Sequence, residues 1–95
     1  MNNQRNINNL INAGNKAQVE KLIENNHKHG FDHLSIDECI AGLLEEKDEA
    51  CEEYNKKVID FKALRRELAD VANYAHMGIM ACDREILKIK EEEPK

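Results

Sequence analysis

The chain has 95 residues and a mass of 11.0 kDa, which suits one small domain spanning 1–95 and leaves no room for a second. Apolar residues make up 41% but aromatics only 4%, so the core is aliphatic and thin, of the kind that leans on a metal, a disulfide or a partner. A net charge of −5 disfavours nonspecific nucleic-acid binding, no apolar run approaches the ~18 residues of a membrane span, and nothing resembles a signal peptide. These features predict a cytoplasmic domain with neither a nucleic-acid nor a membrane partner.

Residues 1–15 hold seven asparagines, with Ile7, Leu10 and Ile11 as the only apolar anchors. Asparagine is a mediocre helix former, so this stretch is a weakly held helix or a frayed arm. A firm first helix follows over 16–26, with Val19, Leu22 and Ile23 facing inward, and the region ends at Gly30 in a loop. Ser35-Ile36-Asp37-Glu38 has the S-x-x-E form of a capping box and opens a second helix to about Lys57. Its apolar stripe is Ile36, Ile40, Leu43, Leu44, Cys51 and Tyr54. Asp60 caps a third helix from Phe61 to about Lys88, with Leu64, Leu68, Val71, Ala75, Ile79, Cys82 and Ile86 along one side. Residues 89–95 are a charged tail containing the only proline, and strand-like alternation is missing throughout. The fold class is therefore all-α.

Cys39, Cys51 and Cys82 are odd in number, lack a C-x-x-C, and sit beside apolar neighbours, so they read as reduced core or near-core residues. Gly42 and Gly78 lie inside helices, where each costs about 1 kcal/mol relative to alanine. They are either tolerated or mark a close helix–helix approach.

The third helix also carries a weaker apolar set on its far side, Ala69, His76, Met80 and Leu87. Helices apolar on two sides bury both, which predicts a homo-oligomer: helices two and three of each copy complete a four-helix-bundle-like core by dimerisation.

Between Asp37 and Glu53 there are eight acids and one base, Lys47. Such a run is commonly a solvated face, but its phase argues for more. At about 100° per residue from Leu43, Glu46 falls at about 300° and Glu49 at about 240°, beside a stripe centred at about 30°. Measured from Leu64, Glu67 and Asp70 take the same two angles. Four carboxylates can then converge beside one helix pair, if the crossing angle and direction allow it. Carboxylates gathered at a semi-buried margin repel unless protonated or bound to a cation. An all-oxygen set suits Mg²⁺, Mn²⁺ or Ca²⁺. Zinc fits less well, because His27, His29 and His33 cluster with no second pair of nitrogen or sulfur ligands at a standard spacing.

Glu45-Glu46-Lys47-Asp48-Glu49 and, after seventeen intervening residues, Glu67-Leu68-Ala69-Asp70 form an E-E-x-x-E and E-x-x-D pair on consecutive helices. This pair resembles the motif of the MazG-like nucleotide pyrophosphohydrolases, and 67–74 is similar to that family's third-helix signature. The resemblance covers about residues 30–85. It implies an all-α fold completed by dimerisation, sometimes tetramerisation, and Mg²⁺-dependent hydrolysis of (deoxy)nucleoside triphosphates to monophosphate and pyrophosphate, with Mn²⁺ as a substitute. By position it makes Glu46, Glu49, Glu67 and Asp70 metal ligands, with Glu46 and Glu49 also serving catalysis and Glu45 in an auxiliary catalytic role. Tyr74 matches a nucleotide-contacting aromatic, with Asn73 a weaker candidate; the alternative for Tyr74 is helix packing. The sequence departs from the family at Arg66, where many members have a further glutamate, and in lacking tryptophan. Phe31, His29 or His33 are then left to contribute to base recognition. Two other readings stay open: a noncatalytic acidic helical interaction module, and a metal-binding fold of the same type without activity.

Overall fold

A computed structural model describes residues 3–25 and 34–92 and contains three helices: α1 (Asn3–Asn25), α2 (Ile36–Tyr54) and α3 (Phe61–Glu92). No strand occurs among the described residues. Of the expected features, Gly30 with its loop, His27, His29, Phe31 and the substrate-binding candidate His33 lie outside the described residues. Among the described residues, no helix is long and apolar enough to cross a membrane.

Local chemistry sets the helix starts as expected. The Ser35 hydroxyl accepts from the Glu38 amide at 3.1 Å while a Glu38 carboxylate oxygen accepts from the Ser35 amide at 3.1 Å, a complete capping box. Asp60 Oδ1 accepts from the amides of Lys62 and Ala63 at 3.0 and 3.1 Å, satisfying two of the orphan donors at the start of α3. Arg84 reaches back from α3 to the Leu34 carbonyl at 2.9 Å and ties down the approach to α2. Three boundaries differ from expectation, one being the end of α3, which continues to Glu92 through residues read as the start of a charged tail. Helix α2 ends at Tyr54, three residues early, where the Asn55 amide caps onto the carbonyls of Cys51 and Glu53. The asparagine-rich segment is not separate from the first helix but continuous with it, from Asn3 onward.

Helices α2 and α3 form an antiparallel hairpin, and α1 lies against α3 without touching α2. The hairpin closes through small residues. A Cβ added at Gly42 would fall into the Tyr74 ring, and one at Gly78 would stand 3.7 Å from the Cys39 Cβ. Gly42 is therefore the close helix–helix approach that its helical position left open. Cys39, Ala50 and Ala81 are buried along the same seam, and all three cysteines are free.

This seam overturns the expected packing. The large apolar stripes fill it only in part: Leu43, Leu64, Val71 and Ala75 are half-buried, but Ile40, Leu44, Leu68, Ile79 and Ile86 each keep about half their surface, and Tyr54 63%. Small side chains let the backbones approach on one flank of each stripe, and the stripes are turned aside. Cys51 and Cys82 lie exposed with them, so of the three cysteines only Cys39 belongs to the core. A groove of about 420 Å³ lined by Cys51, Tyr54, Leu64, Leu68 and Val71 shows that both stripes open on one face of the hairpin. On α1, Ala17 and Gln18 are the buried residues, whereas Val19 and Ile23 are exposed rather than inward. On the far side of α3, α1 covers Ala69 but leaves Met80 and Leu87 more than half exposed. The radius of gyration is 16.4 Å, against about 12 Å for a compact chain of this length.

Candidate metal centre

The turned stripes bring acids into the α2–α3 seam. Glu46 and Glu49 stand one turn apart on α2, Glu67 faces them from α3, and one carboxylate oxygen of each lies within 4.8 Å of the other two. Glu46 and Glu67 are half-buried and Glu49 is exposed, which leaves the cluster open on one side. One oxygen each of Glu46 and Glu67 is buried with no hydrogen-bond donor, and buried acceptors of this kind are uncommon because the desolvation cost goes uncompensated.

The electrostatics follow from that arrangement. Burial, a proton shared with Glu49, and the charges of Asp70, Glu49 and Glu67 push the Glu46 carboxyl up to about 8. Burial raises Glu67 as well, helped by Glu49 and Asp70 and opposed by Lys21. Three carboxylates that cannot all ionise together, two with a bare buried oxygen, fit a hard divalent cation: it supplies the missing positive partner and accepts an all-oxygen set.

The fourth expected ligand stands differently. Asp70 lies outside the three-glutamate group and pairs with Lys21 of α1 at 3.3 Å, both side chains nearly buried at 13% and 11% exposure. Burial raises its pKa, and the pairing with Lys21 pulls it back. Nothing in the sequence signals this pairing, because the two residues come from different helices with no shared spacing.

Asn73, the weaker substrate candidate, is taken up in the α1–α3 seam. Its Nδ2 donates to the Gln18 carbonyl at 3.1 Å and its Oδ1 accepts from Gln18 Nε2 at 3.2 Å. Gln18 Nε2 also meets His76 Nδ1 at 2.6 Å. A buried amide with both ends engaged is not available to a ligand, so Asn73 positions α1. Tyr74 packs its ring over Gly42 and also lines a cavity of about 350 Å³ with Leu34, Glu38, Ala41 and Glu45. Burial first, then the charges of Glu46, Glu45 and Asp70, push its hydroxyl further up, so it stays neutral at physiological pH. Glu45 is exposed on the wall of this cavity, outside the three-glutamate group. Sequence reasoning also passed over Glu53, which has one oxygen buried without a donor and the other 2.7 Å from Lys56 Nζ.

No protein-family model matches the chain, and no curated protein or solved structure matches it.

Proposed function

We propose that the chain is an all-helical divalent-metal-binding protein, with Glu46, Glu49 and Glu67 as the residues that hold the ion. The observation that carries this reading is the pair of buried, donor-less oxygens on Glu46 and Glu67 within a three-carboxylate cluster. The test is thermal stability with and without Mg²⁺ or Mn²⁺, since a ligand that binds only the folded state raises its melting temperature. A wild-type rise that vanishes in the Glu46→Gln, Glu67→Gln double variant supports the site. An equal rise in both moves the metal elsewhere.

The finer reading is hydrolysis of (deoxy)nucleoside triphosphates to monophosphate and pyrophosphate, and it rests on the E-E-x-x-E and E-x-x-D resemblance. The cavity lined by Glu45 and Tyr74 favours it, because Tyr74 joins the α2–α3 seam to an open space of about 350 Å³. Within this reading a bound divalent ion supplies charge neutralisation, polarised phosphate oxygens and acidified water. The chain's part is to hold the ion between two helices, to offer the Tyr74 face to the ligand and to place Glu45 as an exposed base beside it. Pyrophosphate release from each common nucleoside triphosphate with Mg²⁺ tests the reading. Metal binding without turnover assigns the chain to the noncatalytic alternative.

The proposal includes self-association. The exposed stripes of α2 and α3 open on one face, and a two-fold pairing would bury that face in a four-helix bundle. A solution mass near 11.0 kDa with full helicity refutes it.

A further inference from the structure

Helix α1 is held by charge and polarity more than by apolar burial. Its buried residues are Ala17 and Gln18, while Val19 and Ile23 face solvent. Its attachments to α3 include the Gln18–Asn73 bonds, the Gln18–His76 contact and the ion pairs Glu20–Arg65, Glu24–Arg66 and Lys21–Asp70. Of the three ion pairs, only Lys21–Asp70 joins two nearly buried side chains. Exposed ion pairs add little to stability, so among the ionic links the buried pair has the most leverage over where α1 sits.

That pair stands next to the metal centre. Asp70 is one turn beyond Glu67 on α3, and side chains three apart on a helix share a side. Lys21 also lies 3.7 Å from Glu24, so its ammonium is bracketed by two carboxylates at the edge of the acidic cluster. Both Asp70 and Lys21 lie close enough for their charges to act on Glu67, so a divalent cation in the cluster would repel the Lys21 ammonium and would find Asp70 as the next carboxylate within the same field.

We infer that Lys21 is the chain's own counter-ion for the acidic site: it occupies Asp70 in the metal-free protein and yields that carboxylate to a divalent cation, so metal binding and the docking of α1 oppose each other. This rests on the metal-binding reading above. Linkage makes the opposition reciprocal, so whatever factor the docked helix takes from metal affinity, the metal takes from docking.

The full chain tests this at pH 8 with Mg²⁺ and Mn²⁺. In Lys21→Met, which keeps the packed stem and loses the charge, calorimetry is expected to show Mn²⁺ binding tighter by on the order of tenfold. Adding Asp70→Asn to that variant should weaken binding again, because the recruited carboxylate is lost. In the wild type, saturating Mg²⁺ should speed amide hydrogen exchange across residues 17–24 of α1; this measurement needs no variant to fold. Unchanged or slower exchange under saturating Mg²⁺ overturns the proposal, as does equal or weaker Mn²⁺ binding in Lys21→Met. Both results leave the metal site standing, provided that Glu46→Gln with Glu67→Gln abolishes binding. If that double variant binds metal like the wild type, the metal-binding reading fails and the counter-ion role fails with it.

Discussion

A carboxyl that titrates at about 8 is roughly nine-tenths protonated at pH 7, so Glu46 enters any metal complex by losing a proton. Cation binding at pH 7 should therefore release about 0.9 proton from this residue alone, falling to about 0.1 at pH 9. The apparent affinity should rise about tenfold per pH unit below 8 and level off above it. The metal-free fold has the opposite pH dependence. Because the folded pKa lies above the ordinary 4.5, the native state holds this proton more tightly than the unfolded chain does. That contribution to stability is complete below about 4.5 and is lost as pH rises through about 8. Calorimetry in buffers of differing ionisation enthalpy counts the protons directly, and a melting series from pH 5 to 9 with and without Mg²⁺ gives the crossing trends. An affinity that does not change between pH 6 and 9, with no proton released, would refute the crowded-carboxylate account of Glu46.

The remaining predictions concern the seams. Glu46→Gln with Glu67→Gln should fold as well as the wild type or better without metal, most visibly at pH 8 and above, because neutral amides remove the repulsion; circular dichroism melts check this. Gly42→Ala places a methyl inside the Tyr74 ring and should destabilise by about 1–3 kcal/mol in urea titrations, despite the helix propensity of alanine. A gain of about 1 kcal/mol would show that Tyr74 moves aside freely. Asn73→Leu removes both hydrogen bonds that Asn73 makes with Gln18, leaving the Gln18 side chain only His76, and should loosen α1 with little change in α2–α3 helicity, as read by hydrogen exchange. Ile40→Glu or Ile79→Glu on the exposed face should bring the mass in light scattering down to about 11.0 kDa, whereas an unchanged larger mass would place the interface elsewhere.

The helices were legible because their start signals are local: Ser35 with Glu38, and Asp60 with the two amides it caps, are read within four residues of chain. The pairing of Glu46 with Glu49 on one side of α2, and the position of Glu67 at the matching phase of α3, were legible from helical period, whereas their meeting across the seam depends on how the two helices pack. The packing side was not legible. A stripe of Ile, Leu and Val marks the most apolar side of a helix, but does not say whether its own chain or another molecule covers it. Here Gly42, Cys39, Ala50 and Gly78 decide, because close backbone approach needs small residues and the stripes lie off that approach. The Lys21–Asp70 pair was beyond reach for a further reason: a cross-helix ion pair depends on register between segments whose connection carries no spacing rule.

The same displacement of the apolar stripes from the α2–α3 seam gives the chain both of its proposed properties. Had Ile40, Leu44, Leu68 and Ile79 filled the seam, the carboxylates would lie at its wet margin, with ordinary pKa values and no need of a cation. With the stripes turned aside, Glu46 and Glu67 take the place of core residues, and the stability forgone there must be recovered elsewhere. Two sources are available: a divalent ion between the helices, and a second copy over the exposed stripes. A partner that binds only the folded hairpin stabilises it by mass action, and for two such partners bound together the gains add. A variant that cannot pair, such as Ile40→Glu, should therefore lean harder on metal. Its melting temperature should fall below that of the wild type without Mg²⁺, and much of the deficit should return when Mg²⁺ is added. Loss of the metal response in that variant would mean instead that the cation site needs the second copy to form.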